Sequence, residues 1–136
     1  MRNESQTCTI LIANTDLSMS RAIYNGIMEY DSEYAVEIVG FGTEAKEKLA
    51  KQHYPLVITG CFLPDMTGYS LARSIKSNNP ETKTLLIAPN KDQCFGDLAD
   101  LPEIDHLIQN PISPDQIQHL VGQTFGRAKA TEAATA

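Results

Sequence analysis

Apolar residues in this chain fall into short runs separated by polar turns, and two periods alternate along it. Residues 9–13, TILIA, form a nearly continuous apolar run, as expected of a strand covered on both faces. The polar turn Asn14-Thr15-Asp16 follows. Ile23, Ile27 and Tyr30 then recur at helical spacing, with Asp16 or Ser18 as the cap. Residues 34–39 read as a second strand, with Gly40 and Gly42 at its exit. Thr43 is placed to cap a second helix whose inner face carries Ala45 and Leu49. On its outer face Glu44–Lys48 and Glu47–Lys51 are ion pairs four apart.

Residues 56–59 form a third strand, rich in β-branched side chains. The loop 60–68 contains Pro64 and ends on Gly68. A third helix points Leu71 and Ile75 inward and stops at Asn78-Asn79-Pro80. Residues 84–88 form a fourth strand. Between 89 and 105, Pro89, Gly96 and Pro102 leave room only for a short or irregular fourth helix within 91–101. Leu107 and Ile108 belong to a fifth strand. Ser113 opens the last helix, with Pro114 in its first position and Gln116 completing a capping box. Ile117, Leu120, Val121 and Phe125 form its inner face.

Five strands alternating with five helices predict a doubly wound α/β sandwich with right-handed crossovers. Reactive sites in such folds lie at the carboxyl ends of the strands. The turns at 14–16, 60–68, 88–92 and 109–111 are therefore the informative ones. Residues 1–6 are polar and expected to be flexible. Residues 126–136, GRAKATEAATA, contain no large apolar side chain and read as a tail or linker. The compact domain is residues 7–125.

Charge and cysteine content narrow the function classes. With 11 basic and 17 acidic residues the formal net charge is -6, which disfavours direct nucleic-acid binding by the domain. No apolar run approaches a membrane span, and MRNESQ lacks the hydrophobic stretch of a signal peptide, so a cytoplasmic location is expected. Cys8, Cys61 and Cys94 are odd in number, widely spaced and without a CxxC pair. They read as free thiols in a reducing compartment.

The four turns, taken together, resemble the receiver domain of two-component response regulators, a CheY-like, flavodoxin-like (βα)5 fold. ILIANTD (10–16) is similar to that family's first strand and acidic turn. PLVITGCFLPDMTG (55–68) is similar to the third strand and its Pro- and Gly-bearing loop. QNPI (109–112) is similar to the end of the fifth strand, and SPDQIQHL (113–120) to the start of the last helix. The resemblance implies a parallel sheet of order 2-1-3-4-5.

It also implies a site this chain does not carry in the usual form. Receivers hold Mg²⁺ between an acidic pair after the first strand and a phosphoaccepting aspartate after the third. The matching positions here are Asn14 and Thr15 for the pair and Gly60 for the acceptor. The hydroxyl position matches Ala88, the lysine position Asn110, and the aromatic switch position Leu107. Glycine has no group to attack phosphorus or ligate a cation. Mg²⁺ requires hard anionic oxygens, and Asp16 is the only acidic candidate left in the first turn. Asn110 supplies no fixed positive charge for a transferring phosphoryl group. The chain is therefore expected to be a degenerate pseudo-receiver without aspartyl phosphorylation, catalytic residues, metal or cofactor.

Several other polar residues have competing readings. Asp65, beside Pro64, has the alternative reading of a displaced acceptor, but a solvent-facing residue is expected. Asp16 reads first as a helix cap and only second as a metal ligand, and Asp92 as a cap or surface charge. His53, His106 and His119 do not cluster. Thr59 and Thr67 flank the former acceptor loop and are expected to serve the local backbone. Asn14, Thr15 and Asn110 are placed to close the emptied pocket with a neutral hydrogen-bond network.

What remains is surface. The expected function is phosphorylation-independent signalling through protein contacts: dimerisation, partner recruitment, or control of an attached output domain. By resemblance, the face of the fourth helix, fifth strand and last helix is where a homodimer or output contact would form. There Phe95, Leu98 and Leu101 either cover the sheet or form an apolar patch, beside neutral Gln116, Gln118 and Gln123. The alternatives are a small-molecule sensor using the vacated pocket and a receiver with displaced ligands. An enzymatic reading lacks a nucleophile–base pair, a glycine-rich phosphate loop and a metal set.

Overall fold

In a computed structural model of the chain, residues 9–31, 33–88, 104–109 and 113–125 are described. Five parallel strands form one sheet: β1 (Thr9–Ala13), β2 (Ala35–Val39), β3 (Leu56–Gly60), β4 (Lys83–Ala88) and β5 (His106–Gln109), in the order β2-β1-β3-β4-β5. Four helices are described: α1 (Leu17–Tyr30), α2 (Gly42–Lys51), α3 (Gly68–Asn78) and α4 (Pro114–Phe125). The expected sheet order is borne out. The short helix expected within 91–101 lies outside the described residues, so α4 is the helix expected last.

Alternation along each strand divides the core between two helical layers. Ile10 and Ile12 of β1 join Leu56 and Ile58 of β3, Leu85 and Ile87 of β4, and the inner faces of α1 and α4. Leu11, Ala13 and Val57 face the other way, onto Ala45 of α2 and Leu71 and Ile75 of α3. Both faces of the sheet are covered, which is why its strands read as unbroken apolar runs. Ala88 belongs to a third cluster with Cys61, Ala72, Leu86 and Ile104, against which Leu107 is partly buried.

Helix ends follow local chemistry in most places. The Asp16 carboxylate accepts from the Met19 N–H at 3.1 Å and caps α1. Thr67 accepts from the Ser70 N–H at 3.0 Å and caps α3. Gln116 N–H donates to the Ser113 hydroxyl, and Ser113 N–H to Gln116 Oε1, completing the expected capping box.

Three surface expectations change. Helix α2 starts two residues earlier than expected, with Phe41 rather than Thr43 at its N-cap position. Glu44 accepts from the Gly40 N–H, while Lys48 pairs with Glu37 of β2 at 3.3 Å. The expected Glu44–Lys48 pair thus gives way to contacts that tie α2 to β2. Gln118 is not a free surface group, because its amide donates to the Gly26 carbonyl at 2.9 Å and joins α4 to α1. Sequence periodicity reports neighbours on one helix and not partners across helices.

Candidate functional site

Parallel strands deliver all their exit turns to one end of the sheet, so the cleft is built from the residues just past β1 and β3. Asn14 continues β1 by donating its backbone N–H to the Val39 carbonyl at 3.0 Å, and it is 7% exposed. Gly60 ends β3 beside it. A Cβ placed on Gly60 would meet Asn14 Oδ1 at 2.6 Å and its Cγ at 3.2 Å. Real Cβ atoms do not approach so closely, so the amide of Asn14 fills the space a side chain at 60 would need. Gly68 makes a second close approach, against the Gly60 carbonyl oxygen, and Gly68 N–H donates to the Cys61 carbonyl at 2.8 Å. Backbone of the β3 loop and the start of α3 are thereby pressed together over the cleft.

The cleft is a cavity of about 200 Å³ lined by Asn14, Asp16, Met19 and Gly60, with Cys61, Phe62 and Ile87. Of the positions singled out from the sequence, the fold brings Asn14, Asp16 and Gly60 together here. Thr15 is exposed beside it. Ala88 is buried in the neighbouring apolar cluster, and Leu107 packs against that same cluster. Asn110 and Asp92 lie outside the described residues, so the expected neutral network is described only at Asn14. There the Nδ2 group is buried without a hydrogen-bond partner among the described residues.

Both nearby carboxylates hold helix starts. Asp16 turns back onto the start of α1 as its cap. Asp65 does not simply face solvent. Its two oxygens accept from the backbone N–H groups of Gly42 at 2.8 Å and Thr43 at 3.0 Å, capping α2 from a loop 23 positions away. Those donors, Gly42 first, hold its carboxyl below the ordinary value. Among the described residues no group of three or more His, Cys, Asp or Glu side chains stands together. Thr59 donates its hydroxyl to the Gly60 carbonyl at 3.0 Å, serving the local backbone as expected.

Cys61 corrects an expectation. It is joined in a disulfide, and the other two cysteines, Cys8 and Cys94, lie outside the described residues. A disulfide needs Cα atoms within about 7 Å, a proximity created by folding and invisible in sequence spacing. The free-thiol reading therefore does not hold at Cys61. No described helix is long and apolar enough to cross a membrane.

Sequence reasoning also missed the rim. Leu17, Phe41 and Phe62 are 65%, 46% and 49% exposed, each in the turn or helix start that follows one of the strands β1, β2 and β3. The available signal was a large apolar residue inside an exit turn, where no strand or helix period requires one.

Comparison with known proteins agrees with this fold. The family described as the response regulator receiver domain matches residues 10–122. A stretch of 70 residues is 33% identical to the two-component response regulator ORR5 of Oryza sativa subsp. japonica, covering 51% of this chain and about half, 52%, of that relative's length. ORR11 of Oryza sativa subsp. indica is 26% identical over 123 residues, covering 85% of this chain and 80% of the relative. Among solved structures, a CheY-like response regulator receiver domain protein from Methanospirillum hungatei superposes with a TM-score of 0.76 at 19% identity, covering 93% of this chain and 99% of that one. The response regulator DrrB of Thermotoga maritima gives 0.75 at 18% identity, covering 90% of this chain and 54% of that chain.

Proposed function

The chain belongs to the response regulator receiver domain family, and on that premise we propose that it is a pseudo-receiver, signalling through protein contacts without aspartyl phosphorylation. One observation carries the proposal. The Asn14 amide sits 2.6 Å from where a side chain on Gly60 would begin, so the space of an acceptor carboxylate is already taken by a neutral group. An aspartate acceptor attacks phosphorus through a carboxylate oxygen, with a metal ion and a fixed cation neutralising the transferring group. Gly60 offers no side-chain oxygen, and the two nearby acids are engaged as caps of α1 and α2. The same engagement weighs against a receiver with displaced ligands.

With the chemistry gone, the domain's output rests on its surfaces, toward a partner protein or an attached output domain. Its role is that of a signalling module and not an enzyme. Asn14 Nδ2, unpartnered among the described residues, favours a second reading, a small-molecule sensor. The cavity of about 200 Å³ argues against it, because ligand sites usually span roughly 300 to 1,000 Å³. The contact reading is tested by intact-mass measurement after incubation with acetyl phosphate and Mg²⁺. It predicts no acid-labile phosphate adduct, and such an adduct on the unaltered chain would end it.

A further inference from the structure

We propose that the apolar rim at the strand ends docks a cationic amphipathic segment of a protein partner. This rests on the contact-signalling reading and names the surface that carries it.

Among the described residues, five large hydrophobic side chains are markedly exposed. Three of them, Leu17, Phe41 and Phe62, follow β1, β2 and β3, which are neighbours in the sheet. Adjacent strands lie about 4.8 Å apart, so their exit turns span only about 10 to 15 Å. The turns are also tied to one another. Asp65, in the loop after Phe62, holds the N–H groups of Gly42 and Thr43 immediately after Phe41. Met66 packs where a Cβ of Gly42 would be. Phe62 lines the same cavity as Asp16, the residue before Leu17. The three turns that carry these side chains are thus linked to one another.

Charge selects the occupant. The exit turns at 14–18, 40–44 and 60–69 contain Asp16, Glu44 and Asp65, and no Lys, Arg or His. Three carboxylates outweigh three helix N-termini, each worth about half a positive charge, so the rim stays negative. The whole chain carries -6. An apolar centre with an acidic border is complementary to a helix presenting Leu-type residues on one stripe and Lys or Arg beside it. A second copy of this chain would instead bring like charges face to face.

The test is an NMR titration of the full chain, ¹⁵N-labelled, with a synthetic Leu/Lys amphipathic helix. A Leu/Glu helix with the same apolar stripe serves as control, and a Phe41→Ser/Phe62→Ser variant as the altered surface. The proposal predicts saturable shifts centred on Leu17, Phe41 and Phe62. Binding should weaken about tenfold or more for the Glu peptide and for the variant. A footprint on another face, equal binding of both peptides, or no saturable shift would overturn it. So would dimerisation in sedimentation runs that the double variant abolishes, which would assign the rim to a second copy. A phosphate adduct with the footprint intact removes the pseudo-receiver reading alone. A missing footprint without an adduct removes the docking surface alone.

Discussion

Asn14 and Gly60 compete for one volume: the Asn14 side-chain oxygen lies 2.6 Å from where a Cβ on Gly60 would sit. Gly60 is in extended β3 backbone, so its glycine serves space and not an unusual dihedral. Gly60→Ala therefore requires the Asn14 amide to swing aside and should destabilise the domain by about 1 kcal/mol, the low end of the cost of overpacking. Most of that loss should vanish in an Asn14→Ala background, giving a coupling that a urea-denaturation double-mutant cycle reads directly. Additive effects would show that the amide yields freely. Gly60→Asp alone should remain unphosphorylated, because it restores neither the acidic pair nor the lysine.

Asp65 predicts an acid dependence of stability. Its folded-state carboxyl is held below the ordinary aspartate value of 3.8 by the N–H groups of Gly42 and Thr43. A depressed carboxyl contributes stability that is present above its unfolded pKa and lost as pH falls through the folded one. Asp65→Asn should therefore be less stable than the parent near neutral pH, with the gap closing as pH falls below 3.8. Urea melts from roughly pH 6 to 3 would show this convergence. A gap constant with pH would mean the carboxylate charge is irrelevant to the cap.

Asp105 holds the opposite end of the sheet. Its carboxylate accepts from Lys76 Nζ and from the Thr84 N–H, both at 2.8 Å. Burial pushes its carboxyl up, but the Lys76 and Thr84 donors outweigh that and leave it lowered. Asp105→Ala should cost about 2 kcal/mol by removing the carboxylate that accepts from the Thr84 N–H and pairs with Lys76, whose ammonium keeps only the Thr82 carbonyl at 2.7 Å. The substitution is remote from the cleft, so peptide docking at the rim should be unchanged while the denaturation midpoint falls.

The capping box gives a local control. Ser113→Ala should destabilise the domain by about 1 kcal/mol, because Gln116 N–H loses the hydroxyl acceptor at 3.2 Å and keeps only the Ser113 carbonyl at 3.1 Å. Amide exchange should speed first in the initial turn of α4.

Features set by neighbours in the chain were legible in advance. The continuous runs of β1, β3 and β4 implied a sheet buried on both faces, Asp16 implied the cap of α1, and Ser113 with Gln116 the box on α4. Identities at Asn14 and Gly60 pointed to an altered cleft, yet only the fold places the amide against the glycine. What escaped was long-range. Asp65 caps a helix 23 positions earlier, Gln118 bonds Gly26 across two helices, and Cys61 finds a disulfide partner. Each depends on how the crossovers stack, which hydrophobic period does not encode. The rim of Leu17, Phe41 and Phe62 escaped for a related reason, since three isolated apolar residues become a patch only when strand order makes their turns neighbours.

The central claim is that the strand-end cleft no longer responds to a metal ion and a phosphoryl group. An NMR titration of the ¹⁵N-labelled chain with Mg²⁺, followed by beryllofluoride as a phosphoryl mimic, addresses it most directly. The amides of Asn14, Asp16, Gly60 and Cys61 should hold their positions throughout. Saturable shifts converging on Asn14 and Gly60 would contradict the claim and return this cleft to the phosphate-responsive receivers.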